Sequence, residues 1–164
     1  MPLRVVGTGP DEGRLRKLAG PTVRFEGWLS TDSLREAYRG ARALLQPHEE
    51  DFGIAPLEAM ACGTPVVALR RGGGGEVVVS GTGLLFDDPS AEGLVQALAS
   101  FDPADYEPAA LRRRAVEFDR EAWKERMRDL VLEAHEAFLR RAEDPEALAR
   151  LELDPSTEPE NVVY

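Results

Sequence analysis

Pro47-His48-Glu49-Glu50-Asp51-Phe52-Gly53-Ile54-Ala55-Pro56-Leu57-Glu58-Ala59-Met60-Ala61-Cys62-Gly63-Thr64-Pro65 is the stretch whose reading decides the fold. Before it runs Ala43-Leu44-Leu45, a short apolar strand that ends at Gln46 and Pro47. After it runs Pro65-Val66-Val67-Ala68-Leu69, a second apolar strand. Between them lie an acidic loop and a segment of helical character. Pro56 suits a first helical position, and Gly63 followed by Pro65 suits a stop. The helix expected here is about two turns long, with Ala59, Met60, Ala61 and Cys62 on a small, apolar side.

The same alternation extends outward in both directions. Leu3-Arg4-Val5-Val6 reads as a strand and Gly7-Thr8-Gly9-Pro10 as a turn, with Leu15, Leu18 and Ala19 at helical spacing behind it. Val23-Arg24-Phe25 is a further strand closed by Gly27. Ser30 or Thr31 is positioned to cap a helix with the stripe Leu34, Ala37, Tyr38 and Ala41. Gly83-Leu84-Leu85-Phe86 follows the turn residues Ser80-Gly81-Thr82. Ser90 is positioned to cap a helix carrying Leu94, Val95, Leu98 and Ala99. Apolar strands alternating with helices predict an α/β fold, a Rossmann-like parallel sheet flanked by helices. Ligands of such sheets bind at the carboxyl ends of the strands, so the loops at Gly7–Pro10, Gly27–Ser30, Pro47–Ala55 and Arg70–Gly75 carry the functional interest. A long helix is expected from about Asp119 to Arg141, its stripe of Trp123, Met127, Leu130, Val131, Ala134 and Phe138 packing on the sheet. The expected division is a domain over 1–142 and an acidic, mobile tail over 143–164, with a short helix at Pro145 to Leu151.

Bulk properties narrow the function classes. The 164 residues are 43% hydrophobic, enough for one domain with a real core. The formal net charge of −10 opposes a polyanionic partner, so no nucleic acid is expected. Cys62 is the only cysteine, which excludes an internal disulfide and suggests a packing role on the short helix. His48 and His135 form no metal-ligand cluster with it. No apolar run is long enough to span a bilayer, and no segment reads as a secretory leader. A cytoplasmic location, or one peripheral to the membrane, is expected.

In the deciding stretch, the helix start directs unpaired backbone N–H groups at the ligand edge, where phosphate or an oxygen-rich ligand is favoured. Glu58, read in the first turn, offers two acceptor oxygens to a ribose diol. Its alternative is a plain favourable charge at a helix start. Glu50 lies in the loop and can reach a second hydroxylated group. Glu49 and Asp51 read as solvated neighbours. His48 is placed as a general base only weakly. The run Gly72 to Gly75 is either a phosphate cradle or a flexible loop. It is no Walker loop, and Gly7-Thr8-Gly9 lacks the third glycine of a dinucleotide fingerprint.

The stretch Glu-Asp-Phe-Gly-Ile-Ala-Pro-Leu-Glu-Ala-Met-Ala-Cys-Gly-Thr-Pro-Val-Val-Ala resembles the signature of retaining GT-B glycosyltransferases of the large family 4 (group 1). Its core is Glu-x7-Glu, here Glu50 and Glu58. That spacing alone is uninformative, because it recurs at Glu117 and Glu125, Glu125 and Glu133, and Glu152 and Glu160. The surrounding Phe-Gly, Ala-Met-Ala-Cys-Gly and Pro-Val-Val give it specificity. Val5-Val6-Gly7-Thr8-Gly9-Pro10, Val23-x-Phe25-x-Gly27, Gly72-Gly73 with Glu76, and Thr82-Gly83-Leu84-Leu85-Phe86 resemble further family elements in the same order. The resemblance covers roughly Leu3 to Phe138.

This resemblance implies the donor-binding, C-terminal half of a GT-B fold. It implies transfer of a hexosyl group from a nucleotide sugar with retention at the anomeric carbon, without metal or cofactor. Glu50 would contact the donor sugar as the catalytic carboxylate, and Glu58 would hold the ribose. Backbone at Phe52, Gly53, Ile54 and Ala55 would face sugar and diphosphate. Gly7, Gly9, Gly27 and Trp28 would border the base, and Gly72, Gly73 and Arg71 would meet phosphate. The Glu-Asp-Phe-Gly-Ile style resembles mannosyltransferases, and both GDP- and UDP-linked donors stay open. The acceptor would be a glycan, a lipid or a small molecule. The family's acceptor-binding domain, and the first strand and helix of its donor domain, have no counterpart in this sequence. The missing piece carries the Arg and Lys that neutralise the leaving diphosphate. The chain alone is therefore expected to be incomplete or inactive, with a slot left in its sheet. A separate N-terminal-type domain or a homo-oligomer would complete it. Two alternatives remain: a non-catalytic or partner-dependent sugar-nucleotide-binding module, and a fragment of a GT-B-like epimerase.

Overall fold

A computed structural model describes residues 2–142. The chain divides into two compact units, Met1–Phe118 and Asp119–Tyr164. The first unit contains β1 (Leu3–Val6), α1 (Glu12–Leu18), β2 (Val23–Gly27), α2 (Thr31–Arg39), β3 (Leu44–Gln46), α3 (Ile54–Ala61), β4 (Val66–Leu69), α4 (Gly73–Val77), β5 (Gly83–Phe86), α5 (Ala91–Ser100) and α6 (Pro108–Val116). A single 3₁₀ turn, Pro103–Asp105, joins α5 to α6.

All pairings between these strands are parallel, as continuous apolar strands separated by helices require. They form two sheets, β1–β2 and β3–β4–β5. β1 therefore pairs only with β2, and β3 only with β4, so each leaves one edge unpaired among the described residues.

The core sits around β4, whose four residues are all buried. On one face Ala59, Met60, Val66, Ala68, Val77, Val78 and Leu111 pack together, bordered by Tyr38, Leu57 and Phe118. On the other, Val67, Leu69, Phe86 and Ala97 pack with Leu45, Leu94 and Phe101. The caps follow the sequence. Ser30 Oγ accepts from the Ser33 amide at 3.3 Å, and Ser90 Oγ accepts from the Gly93 amide at 3.1 Å.

Three expectations need correction. The stripe on α1 is not buried; Leu15 is exposed, and Leu18 is 73% exposed. α4 and α6 are helices that apolar spacing alone does not predict. In the second unit, α7 (Arg120–Ala142) matches the expected long helix within a residue, and Asp119 Oδ1 accepts from the Ala122 amide at its start. Its apolar stripe is not core, however: Trp123, Leu130, Val131 and Phe138 are all exposed. The tail 143–164 and the short helix at Pro145 to Leu151 lie outside the described residues.

Candidate functional site

The acidic loop connects β3 to α3 at the carboxyl edge of the three-stranded sheet. Gln46, the last residue of β3, is 3% exposed. Its Nε2 donates to Glu50 Oε2. A side chain fixed by the sheet thus holds a half-buried loop carboxylate that would otherwise be free to rotate. Gln46 Oε1 is buried without a partner among the described residues. His48 Nε2 lies 4.0 Å from the same Glu50 oxygen, but the imidazole is largely exposed. Such a pair is attractive only when the histidine is protonated.

Helix α3 begins two residues earlier than Pro56 suggests, at Ile54. Gly53 is its N-cap, with φ 87°, and no side chain caps the first turn. The opening amides of Ile54 and Ala55 have no intrahelical acceptor, and Pro56 carries no amide hydrogen. This early start has a second consequence. Glu58 is the fifth helical residue, not a first-turn residue, and the first turn holds no acid. The helix-start charge that offered an alternative explanation for Glu58 therefore does not apply. Instead Glu58 Oε2 accepts a hydrogen bond of 3.0 Å from the Tyr38 hydroxyl on α2.

The stop of α3 is as expected and is a Schellman turn. The Gly63 amide donates to Met60 O and the Thr64 amide to Ala59 O, both at 2.9 Å. Gly63 takes φ 84°, which its missing Cβ permits. Cys62 is the half-buried C-cap residue, not a buried one.

The glycine run is neither an open cradle nor a loose loop. Its residues Gly73 to Gly75 form the first turn of α4, a helix of five residues. The Gly73 amide donates to Glu50 O at 2.5 Å. A Cβ on Gly73 would overlap the Phe52 carbonyl, and one on Gly72 would overlap the Glu50 carbonyl. Glycine is required here by close approach: α4 closes directly onto the acidic loop. Arg114 of α6 secures the other end of α4. Its Nη2 donates to Glu76 O at 2.7 Å and its Nε to Val77 O at 3.0 Å. The guanidinium also lies 4.6 Å over the Phe118 ring, which meets Phe52 edge-on at 6.3 Å.

The structure thus brings Glu50, Phe52, Gly53, Gly72 and Gly73 together around one pair of loops. Ile54 is exposed and Ala55 half-buried at the start of α3. Arg71 is exposed beside Gly72, whereas its neighbour Arg70 pairs with Asp87 at 2.7 Å. Gly27 ends β2 of the other sheet, and Gly7, Gly9 and Trp28 lie just beyond the ends of its two strands. The Gly7 amide donates to Gly27 O at 2.7 Å, which closes the ends of β1 and β2 on each other. Trp28 follows directly and is 80% exposed. In sequence Tyr38 and Gln46 are a stripe residue and a strand-end residue, and Arg114 carries no signal of its own. Their partners lie four to thirty-eight residues away, beyond any periodic signal. Among the described residues no cluster of His, Cys, Asp and Glu could hold a metal ion. No described helix is long and apolar enough to cross a membrane.

Comparisons with known proteins converge on one family. The model of the glycosyl transferases group 1 matches residues 1–101. The D-inositol 3-phosphate glycosyltransferase of Rhodococcus opacus is 43% identical over 93 residues, covering 56% of this chain and 20% of that protein. The glycogen synthase of Mycobacterium tuberculosis is 39% identical over 107 residues, covering 64% and 25%. Among solved structures, the sucrose-phosphate synthase of Thermosynechococcus elongatus superposes with TM-score 0.69 at 31% identity, over 82% of this chain and 39% of that one. HepE of Anabaena, solved in complex with UDP, has the same fold at TM-score 0.65 and 19% identity, over 81% and 41%. The chain spans a fifth to a quarter of these curated relatives and about two fifths of these structures. With its parallel sheets and flanking helices matching GT-B glycosyltransferase structures, the chain belongs to the group 1 glycosyl transferases.

Proposed function

We propose that this chain supplies the donor-binding half of a retaining, metal-independent glycosyltransferase. The observation that carries this reading is the support of the two motif carboxylates. Glu50 is held by Gln46 and Glu58 by Tyr38, each from an element outside the loop or helix that bears it. Carboxylates held in this way are pre-set to receive hydroxyl groups, which lowers the ordering cost of binding.

In this reading Glu58 receives the ribose diol and Glu50 orients the hexose. The uncapped amides of Ile54 and Ala55 attract diphosphate oxygens, where the leaving charge develops. Trp28 offers an indole face to the base, and Arg71 offers an exposed cation to the phosphates. The glycosyl group passes to an acceptor hydroxyl and a nucleoside diphosphate leaves. UDP-linked donors gain support from the UDP bound in HepE, and GDP-mannose from the Glu-Asp-Phe-Gly-Ile loop. The acceptor side, whether glycan, lipid or small molecule, belongs to a second domain or subunit.

Calorimetric titration with UDP, GDP, UDP-glucose and GDP-mannose tests the reading. Saturable binding of one of them is expected, with Glu58→Ala weakening it roughly 10- to 100-fold, the range for a hydrogen bond to a charged group. Equal binding by wild type and Glu58→Ala would overturn it.

A second reading, a partner-dependent binding module, is favoured by the interrupted sheet, with β1 and β3 both unpaired on one edge. It is separated from the first by turnover. Hydrolysis or transfer by the isolated chain rejects it, and turnover only after a second subunit is added supports it.

A further inference from the structure

We propose that Tyr38 is the positioning residue of the ribose site, fixing the Glu58 carboxylate so that its free oxygen faces the diol. The inference rests on the reading of Glu58 as the ribose carboxylate. Tyr38 belongs to α2, twenty residues before Glu58, and is not part of the acidic motif.

The geometry gives Tyr38 two separate holds on α3. Its hydroxyl donates to Glu58 Oε2 at 3.0 Å, in the middle of the helix. Its carbonyl accepts from Thr64 Oγ1 at 2.7 Å, beyond the end of the helix. Thr64 is buried, and its amide closes the Schellman turn on Ala59 O. Main chain and side chain of one tyrosine therefore brace the same short helix at two points. The ring is half-buried and packs against the core that contains Ala59 and Met60. It has a firm base from which to aim its hydroxyl.

A carboxylate has about four acceptor sites on its two oxygens. Tyr38 uses one of them, on Oε2. No other side chain bonds to Glu58 among the described residues. Enough capacity remains for two ribose hydroxyls, but in one orientation instead of many. Burial, and then the Glu58 bond, hold the Tyr38 proton well above the ordinary tyrosine range. The phenol therefore stays a donor wherever the carboxylate is ionised. Without the hydroxyl, Glu58 would sample other rotamers on an exposed helix face, and its cost of ordering would fall on the nucleotide.

Binding of UDP and GDP, and of their 2′,3′-dideoxy forms, to wild type, Tyr38→Phe, Glu58→Gln and the double variant tests this. Phenylalanine keeps the packed ring and removes only the donor. For the diphosphate that binds, Tyr38→Phe is expected to weaken affinity about fivefold, within the range of one net hydrogen bond. The dideoxy form should bind Tyr38→Phe and wild type equally, and in the Glu58→Gln background the tyrosine effect should vanish. A parallel loss for both nucleotide forms would make Tyr38 merely structural and overturn the proposal. An unchanged Tyr38→Phe beside a weakened Glu58→Gln would overturn it while leaving the ribose reading intact. No response to Glu58→Gln, or no binding of either diphosphate, would remove both.

Discussion

The two sheets of the first unit have the same grammar and different fates. β1 and β2 pair in parallel from Leu3 with Val23 to Val6 with Gly27, one irregularity aside. β3, β4 and β5 pair in parallel as well. Yet no residue from 2 to 45 is buried, and the first buried one is Gln46. Backbone pairing needs only a neighbouring strand, whereas burial needs a second layer on each face. Around β4 that layer comes from α3, α4, α5 and α6. Over β2 it is thin; the Arg16 guanidinium lies 4.6 Å over the Phe25 ring, where an aliphatic side chain would give a drier contact. Regular hydrogen bonding is therefore no measure of where the stability resides.

Three pairs of substitutions can break or sharpen this contrast. The largest difference is expected between Leu111→Ala and Leu18→Ala. Leu111 is fully buried, so truncation should cost about 2–5 kcal/mol through lost transfer energy and a residual cavity. Leu18 is exposed, and its truncation should stay within about 0.5 kcal/mol. Urea unfolding measures both, and similar losses would end the distinction between the sheets. The next difference sets Gly73→Ala against Gly9→Ala. A Cβ at 73 meets the Phe52 backbone, while one at 9 meets nothing within 4 Å. Overpacking of about 1–3 kcal/mol is expected for the first and a change under about 1 kcal/mol for the second. Thermal unfolding would read the ranking, and its reversal would deny the tight closure of α4 on the acidic loop. A difference comparable to that of the glycines separates two arginines. Arg114→Ala removes charge-assisted bonds to two helix carbonyls and should cost about 1.5–3 kcal/mol. Arg4→Ala removes an exposed pair with Glu26, worth about 0–1 kcal/mol. High salt should shrink the second cost, and of the first only the part due to the Arg114 pair with exposed Glu117.

The same contrast separates what the sequence makes legible from what it conceals. The strands were readable because Val66 to Leu69 and Gly83 to Phe86 are apolar runs between turn residues. The stops and caps at Gly63, Ser30 and Ser90 were readable because they rest on local chemistry. α4 was not, because three consecutive glycines cost roughly 1 kcal/mol each in a helix. Their helix is anchored by the Gly73 amide donating to the Glu50 carbonyl and by Arg114 donating to the Glu76 carbonyl, both partners remote in sequence. α6 had Pro108 at its first turn, with Leu111 and Ala115 one turn apart. The run Arg112 to Arg114 masked that face. Apolar spacing also overstated burial at Leu18 and Trp123, since a stripe shows that a face is apolar and not what covers it. In the candidate site, both motif glutamates stand out in the sequence through their context. Tyr38 and Gln46, which hold them, could be found only in three dimensions.

The bond from the Gly73 amide to the Glu50 carbonyl has a consequence for how this region can change length. It ties the loop after β3 to the loop after β4, so neither has an independent free end. A residue inserted between Leu69 and Gly73 would push α4 into the backbone that carries Glu50. A residue deleted from the acidic loop would pull Glu50 away from the amide. The two segments act as one adjustable part with a single shared length, and insertions are accommodated elsewhere, at turns such as Ser80 to Gly81, where a new atom meets open space.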